Sequence, residues 1–283
     1  MTSTTTGYTL MAVHAHPDDE ASGTGGILAR YGDEGVQTVL VTCTNGELGD
    51  AEGGAKPGEA GHDELSVART RRAELQASCS VLGVDHLEML GYHDSGMMGW
   101  PQNDSPGSFW TTPVDEAATR LARLLERYRP DVVVTYDERG FYGHPDHIQA
   151  HRITVAALAS TPVAAKLYCT ALPTSSFADF AAVFAEQGEP GDGQTHRPTE
   201  EEVAAFMQIA TPDELVTTRV DCTRFADRKR SALAKHASQA DNTAFLRLAP
   251  EAFRKVFGVE SFVRLQDSTG AAVPEVDLFA GLR

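Results

Sequence analysis

Residues 9–44, TLMAVHAHPDDEASGTGGILARYGDEGVQTVLVTCT, decide the fold. Residues 9–15 are a short apolar run that ends in polar residues, which predicts a buried strand. Residues 20–35 carry Ile27, Leu28 and Tyr31 at helical spacing and stop at Gly35, a helix terminator. Residues 36–44 form a second apolar run. Strand, helix and strand in so short a stretch make a βαβ unit, so the two strands are predicted to be parallel.

Working outward, residues 86–90 and 131–137 read as further strands, the latter as the fully apolar run VVV between polar ends. Residues 63–82, a segment opening at Pro113, and residues 145–159 read as helices. Residues 45–61 and 91–112 are rich in Gly, Pro, Asn and Asp and read as site-building loops. Beyond them, residues 166–172, 216–223 and 260–267 predict strands. Residues 176–187, 200–209, 225–238 and 250–257 predict helices, and 189–198 a loop. The expected class is α/β with a mostly parallel sheet. Residues 1–165 would form the catalytic core and 166–283 a C-terminal elaboration that completes the substrate pocket, in one continuous domain.

The totals narrow the function. The chain has 283 residues, 41% of them hydrophobic, and a net charge of −16. That field repels nucleic acid and anionic membrane. No apolar stretch is long enough to span a bilayer, and the polar residues 1–10 lack the basic and apolar regions of a secretory signal. Four cysteines, Cys43, Cys79, Cys169 and Cys222, lie far apart with no Cys-x-x-Cys pair, which predicts free thiols in the cytoplasm. Homo-oligomerisation is left open.

Two clusters carry the chemistry. The first strand runs into His14-Ala15-His16-Pro17-Asp18-Asp19-Glu20, and the fourth, after a short loop, into His144-Pro145-Asp146-His147. In open parallel sheets ligands bind beyond the carboxyl ends of the strands, so both clusters are expected on one edge. Either alone reads equally well as a helix N-terminus, with carboxylates favoured by the dipole or proline in the first turn. Together they read as a metal site. His16, Asp19 and His147 form the His, His, carboxylate set of catalytic zinc with a position left for water; Fe2+ or Co2+ suits the same set. Asp18, beside a ligand, is placed to take a proton from water, His144 to donate to an oxyanion, and Asp146 to orient an imidazole. Gly23-Thr24-Gly25-Gly26 suggests a dinucleotide fingerprint, but Leu28 stands where the third glycine belongs.

His-Pro-Asp-Asp-Glu followed by His-Pro-Asp-His resembles the LmbE-like (PIG-L) zinc N-deacetylases, over about residues 9–159. The resemblance implies a Rossmann-like sandwich. It also implies hydrolysis of the N-acetyl group of an N-acetylglucosamine-type conjugate, a small-molecule sugar substrate. It gives metal ligation to His16, Asp19 and His147, general base catalysis to Asp18, and stabilisation of the tetrahedral intermediate to a protonated His144 supported by Asp146. Asp94-Ser95-Gly96-Met97, Tyr136-Asp137 and Tyr142-Gly143-His144 are most similar to the mycothiol-pathway deacetylase branch of actinobacteria. On that branch Tyr142 would assist the intermediate, and Arg71 and Asp94 would hold the sugar. Phe141 stands where the branch usually has Gly, which narrows the pocket mouth. Gly23 stands where mycothiol-conjugate amidases tend to carry Lys. An amidase, or a deacetylase of an antibiotic or lipid-linked sugar, remains the alternative reading.

Overall fold

The computed structural model describes residues 7–187 and 199–283. Seven strands form one sheet: β1 (Thr9–His14), β2 (Gln37–Thr44), β3 (His86–Tyr92), β4 (Val132–Thr135), β5 (Lys166–Ala171), β6 (Thr218–Asp221) and β7 (Val259–Asp267), in the order β3-β2-β1-β4-β5-β7-β6. The first five are mutually parallel, whereas β7 runs antiparallel to both β5 and β6. All seven strands fall where the sequence puts them, and the sheet continues through residues 165 and 166 because β4 pairs with β5. The predicted loop at 189–198 lies outside the described residues.

The helices are α1 (Asp19–Gly23), α2 (Gly25–Asp33), α3 (Glu64–Leu82), α4 (Val114–Tyr128), the single turn α5 (Gly140–Gly143), α6 (Pro145–Ser160), α7 (Ser176–Gln187), α8 (Glu200–Ile209), α9 (Ala226–Leu233), α10 (Asp241–Leu246) and α11 (Pro250–Phe257). The one helix expected over 20–35 is thus two, broken at Thr24, whose φ of −135° is not helical. The helix expected over 225–238 stops at Leu233, and the chain beyond it brings His236 against Glu20 in the turn after β1.

Helices cover both faces, and so β1, β2 and β4 are buried on both sides and read as continuous apolar runs. Leu10, Ala12, Leu40, Val132 and Val134 face one core with α2, α3, α9 and α11. Met11, Val13, Val39, Val41 and Val133 face the other with α4 and α6. The N-terminus of α2, where a dinucleotide phosphate would lie, is filled from within. Glu260 accepts from the N–H groups of Gly26 and Ile27 at 2.7 and 2.9 Å and pairs with Lys229 at 2.6 Å. A β-carbon on Gly26 would lie 2.6 Å from that of Cys222. These glycines serve close packing.

Candidate metal and catalytic site

The strand order reverses between β1 and β4, which connect to helices on opposite faces, and the crevice at that point lies beyond their carboxyl ends. The turn after β1 and the turn after β4 meet there. His16, Asp19 and His147 come together: His16 Nδ1 lies 3.3 Å from Asp19 Oδ2, and His147 Nε2 lies 3.5 Å from Asp19 Oδ1. All three are buried or nearly so, and neither nitrogen of His147 makes a hydrogen bond among the described residues.

Other side chains fix this trio. The Tyr136 hydroxyl, just past β4, donates to Asp19 Oδ2 at 2.7 Å and accepts the Ala15 N–H at 2.8 Å. Its ring stacks on His147 at 4.1 Å. The backbone N–H of His16 donates to the same Asp19 oxygen at 2.8 Å, leaving Oδ1 for His147 and whatever lies between them. His16 Nε2 faces Asp146 Oδ2 at 3.2 Å and Asp94 Oδ1 at 3.8 Å. Burial opposes a charge on His16, but Asp94, Asp146 and Asp19 outweigh it and hold its pKa well above 6.5. Burial also opposes charge on Asp19, yet His147 and His16 hold its carboxyl well below the usual range.

The donors gathered here, imidazoles and carboxylates, are of the types that bind divalent ions. A tetrahedral ion with bonds of about 2.0–2.2 Å separates its ligands by roughly 3.3–3.6 Å. The His147 Nε2–Asp19 Oδ1 spacing of 3.5 Å is of that size, whereas His16 faces the other Asp19 oxygen, which Tyr136 and the His16 N–H already occupy. Neutral His147 has one lone-pair nitrogen, and its buried Nε2, which faces Asp19 without a hydrogen bond, is free to give that pair to a cation. Asp146 behind His16 is placed as the carboxylates that orient metal-bound imidazoles are, holding one ring nitrogen and leaving the other toward Asp19. Two sets of side chains bring one ligand atom each within 4.8 Å of one another, His16 with His144 and His147, and His16 with Asp94 and Asp146; Asp19 belongs to neither and touches the first through His147 and His16. In the second, Asp146 Oδ2 is already engaged by the Ser95 N–H and Asp94 Oδ1 by the Gly96 N–H.

Asp146 departs from the sequence expectation in its partner. Its carboxylate serves His16, and only its backbone reaches His144, by donating N–H to His144 Nδ1 at 3.1 Å. That bond caps α6 and requires Nδ1 to be an acceptor, so the ring proton sits on Nε2. Burial, with His16 and His147 nearby, pushes the His144 pKa far down. The uncharged ring is the form the site holds, not the protonated one expected from sequence. His144 lies 4.5 Å from the His16 ring and 5.0 Å from that of His147, centre to centre.

Asp18 has a φ of 121°, a conformation that residues with a β-carbon rarely adopt. Its carboxylate pairs with Arg71 Nη2 at 3.1 Å. Burial raises its pKa to about 6, against the opposing pull of Arg71. Arg71 is itself buried and donates to the carbonyls of Pro17 (2.6 Å) and Gly46 (2.8 Å). Asp94 is buried at the start of the loop after β3. Tyr142 is half exposed at the rim, with its ring 5.1 Å from that of His147 and 6.0 Å from that of His144.

The family described as PIG-L: GlcNAc-PI de-N-acetylase matches residues 11–158, which include both histidine clusters. The chain belongs to the PIG-L family. A 1D-myo-inositol 2-acetamido-2-deoxy-alpha-D-glucopyranoside deacetylase of Acidothermus cellulolyticus is 42% identical over 96% of this chain and 94% of its own. One of the same name from Thermobifida fusca is 42% identical over 96% and 98%. Among solved structures, the N,N'-diacetylchitobiose deacetylase of Pyrococcus horikoshii shares the fold at 21% identity and a TM-score of 0.56, covering 91% of this chain and 83% of its own. A 4-carboxy-2-hydroxymuconate hydratase of Pseudomonas putida shares it at 19% and 0.59, over 91% and 96%. The same architecture thus carries different chemistry, and the site has to argue the function.

Sequence reasoning gave no role to Tyr136, Glu20 or His236, which stand directly behind the site. Tyr136 carried a signal, a polar-tipped ring at the end of an apolar strand. His236 carried none, since its partner is more than 200 residues away.

Proposed function

We propose that this protein is a metal-dependent N-deacetylase that releases acetate from an N-acetylglucosamine-type conjugate, with a glucosaminyl inositol as the favoured substrate class. The observation that carries the substrate class is similarity along 96% of the chain, not the motifs alone, to proteins named as deacetylases of that conjugate. The C-terminal half is thereby included. Four free, buried thiols support a cytoplasmic setting. Among the described residues no helix is long and apolar enough to cross a membrane.

His16, Asp19 and His147 would hold the ion, with zinc the best fit to the donors. When bound, it supplies Lewis acidity, lowering the pKa of water and polarising the amide carbonyl. Asp18, with a pKa of about 6, is ionised at neutral pH and takes the proton of the attacking water. The oxygen–carbon bond forms as this proton leaves. The Nε2–H of His144 then donates to the developing oxyanion, and the Tyr142 hydroxyl at the rim adds a second donor. Asp18 returns the proton to the nitrogen as the carbon–nitrogen bond breaks, giving acetate and a free amine. Arg71 and Asp94 hold the sugar side of the cleft, Arg71 also through its grip on Asp18.

Acetate release from a panel of N-acetylglucosaminides, with metal content measured in parallel, tests this reading. Turnover of the inositol conjugate well above simple glycosides is expected. No acetate from any member of the panel by the metal-loaded protein would overturn it.

A further inference from the structure

The C-terminal half reaches the catalytic turn through the short segment between α9 and α10. His236 in that segment is buried, and its Nε2 donates to Glu20 Oε1 at 2.8 Å. Glu20 is fully buried as well. Its Oε1 also accepts the Ser78 hydroxyl, and its Oε2 accepts the backbone N–H of Asp18 at 3.0 Å. The next residues anchor the segment itself. The Ser238 N–H and hydroxyl donate to Glu74 on α3 at 2.8 and 2.7 Å. Gln239 accepts the Asp50 N–H and donates to the Asp50 carbonyl, both at 3.2 Å. A β-carbon on Gly49 would lie 2.4 Å from Gln239 Oε1 and 2.6 Å from Arg71 Nη1, so segment, loop and arginine touch.

A backbone at φ 121° persists only where its surroundings over-determine it. The hydrogen bond that holds the Asp18 N–H comes from Glu20, and Glu20 is aimed by His236 and Ser78. Asp19, one residue on, is held separately by the His16 N–H and Tyr136. Loosening Glu20 therefore frees the base without freeing the neighbouring carboxylate.

We propose that Glu20 and His236 are positioning residues for the catalytic base: the buried pair clamps the Asp18 backbone in its strained conformation and aims its carboxylate at the attacking water. This rests on the deacetylase reading above for the reaction, though the clamp is a property of the chain alone. Misplacing a reacting group by about 1 Å costs on the order of 10²-fold.

The test uses full-length, metal-loaded protein and the best N-acetylglucosaminide of the panel. His236→Leu should lower kcat by about 10- to 100-fold, with KM and metal per chain unchanged. It should also speed hydrogen exchange at the Asp18 amide. His236→Gln, which restores an N–H donor near Nε2, should recover most of kcat and the slow exchange. If the leucine variant does not fold, Glu20→Gln should give the same kcat loss at normal metal content. A merely structural pair would lower Tm and leave kcat of the folded, loaded protein at the wild-type value; that result overturns the proposal, as does a loss confined to KM or to metal binding. A wild type that releases no acetate overturns the reaction instead, and exchange at Asp18 still decides the clamp.

Discussion

The turn after β1 and the turn after β4 both place a residue with a side chain at positive φ, Asp18 at 121° and Phe141 at 62°. They differ in everything around it. Asp18 is gripped by Glu20 at its N–H and Arg71 at its carboxylate, behind buried His236. Phe141 stands at the rim, held through its N–H by Asp137 and touching the Tyr142 ring at 5.8 Å. The first turn is locked and sets the base and two candidate ligands. The second buries its residues from His144 onward, where α6 begins, and its front carries the exposed Tyr142. The lesson is that the same backbone strain is enclosed by buried partners in one turn and faces solvent in the other.

The largest effect should come from a point where the second turn is as buried as the first. His147→Ala should remove most bound metal and bring acetate release to background, because two ligands hold a divalent ion poorly. Elemental analysis after dialysis is the measurement. One metal per chain retained would take His147 out of the ligand set and leave the β1 turn to bind the ion alone.

Asp18→Asn should come next, with activity lower by about 10²–10⁴ and metal retained. The pH profile sharpens the assignment. Asp18 acts as its carboxylate, so wild-type activity should fall as pH drops through about 6. Burial raises that pKa and Arg71 restrains it. Arg71→Ala should therefore shift the acid limb to higher pH and also raise KM for the sugar. An acid limb that stays in place would separate Arg71 from the base.

His144→Ala should cost about 10²–10³ in kcat. Because its Nδ1 accepts the Asp146 N–H and burial holds the ring uncharged, the loss should be equal across the pH range. Disappearance of a basic limb in this variant would mean that a protonated His144 is the working form after all.

Much of this was legible in the sequence for a physical reason. Strands buried on both faces are written as unbroken apolar runs, so β1, β2 and β4 declared themselves, and the residues ending them marked the crevice. Tertiary partners are not written that way. Asp146 sits one residue before His147 and two after His144, yet its carboxylate crosses to His16, 130 residues away, while its own N–H turns back to His144. Helix periodicity likewise passed over the break at Thr24, where the His14 ring holds the threonine hydroxyl at 2.7 Å. Nothing local announced that His236 ends up behind Asp18.

The smallest effect should come from Phe141→Gly. At φ 62° and ψ −91° the phenylalanine backbone is strained, and such conformations cost on the order of 1–3 kcal/mol. Glycine adopts them freely, though it loses about 0.5–1 kcal/mol more chain entropy on folding. The entropy term offsets only part of that relief, and the lost burial of a ring that is 36% exposed, worth about 1–2 kcal/mol, offsets the rest. The glycine variant should therefore melt within about 3 °C of the wild type, keep its metal and keep kcat. Removing the ring also widens the rim beside Tyr142, so kcat/KM should rise for conjugates with bulky aglycones and stay level for small ones. The same substitution logic fails at Asp18, where the side chain is the base. A clear fall in Tm or in metal content for Phe141→Gly would show that the β4 turn is locked by its strained residue just as the β1 turn is, and the contrast between the two turns would be lost.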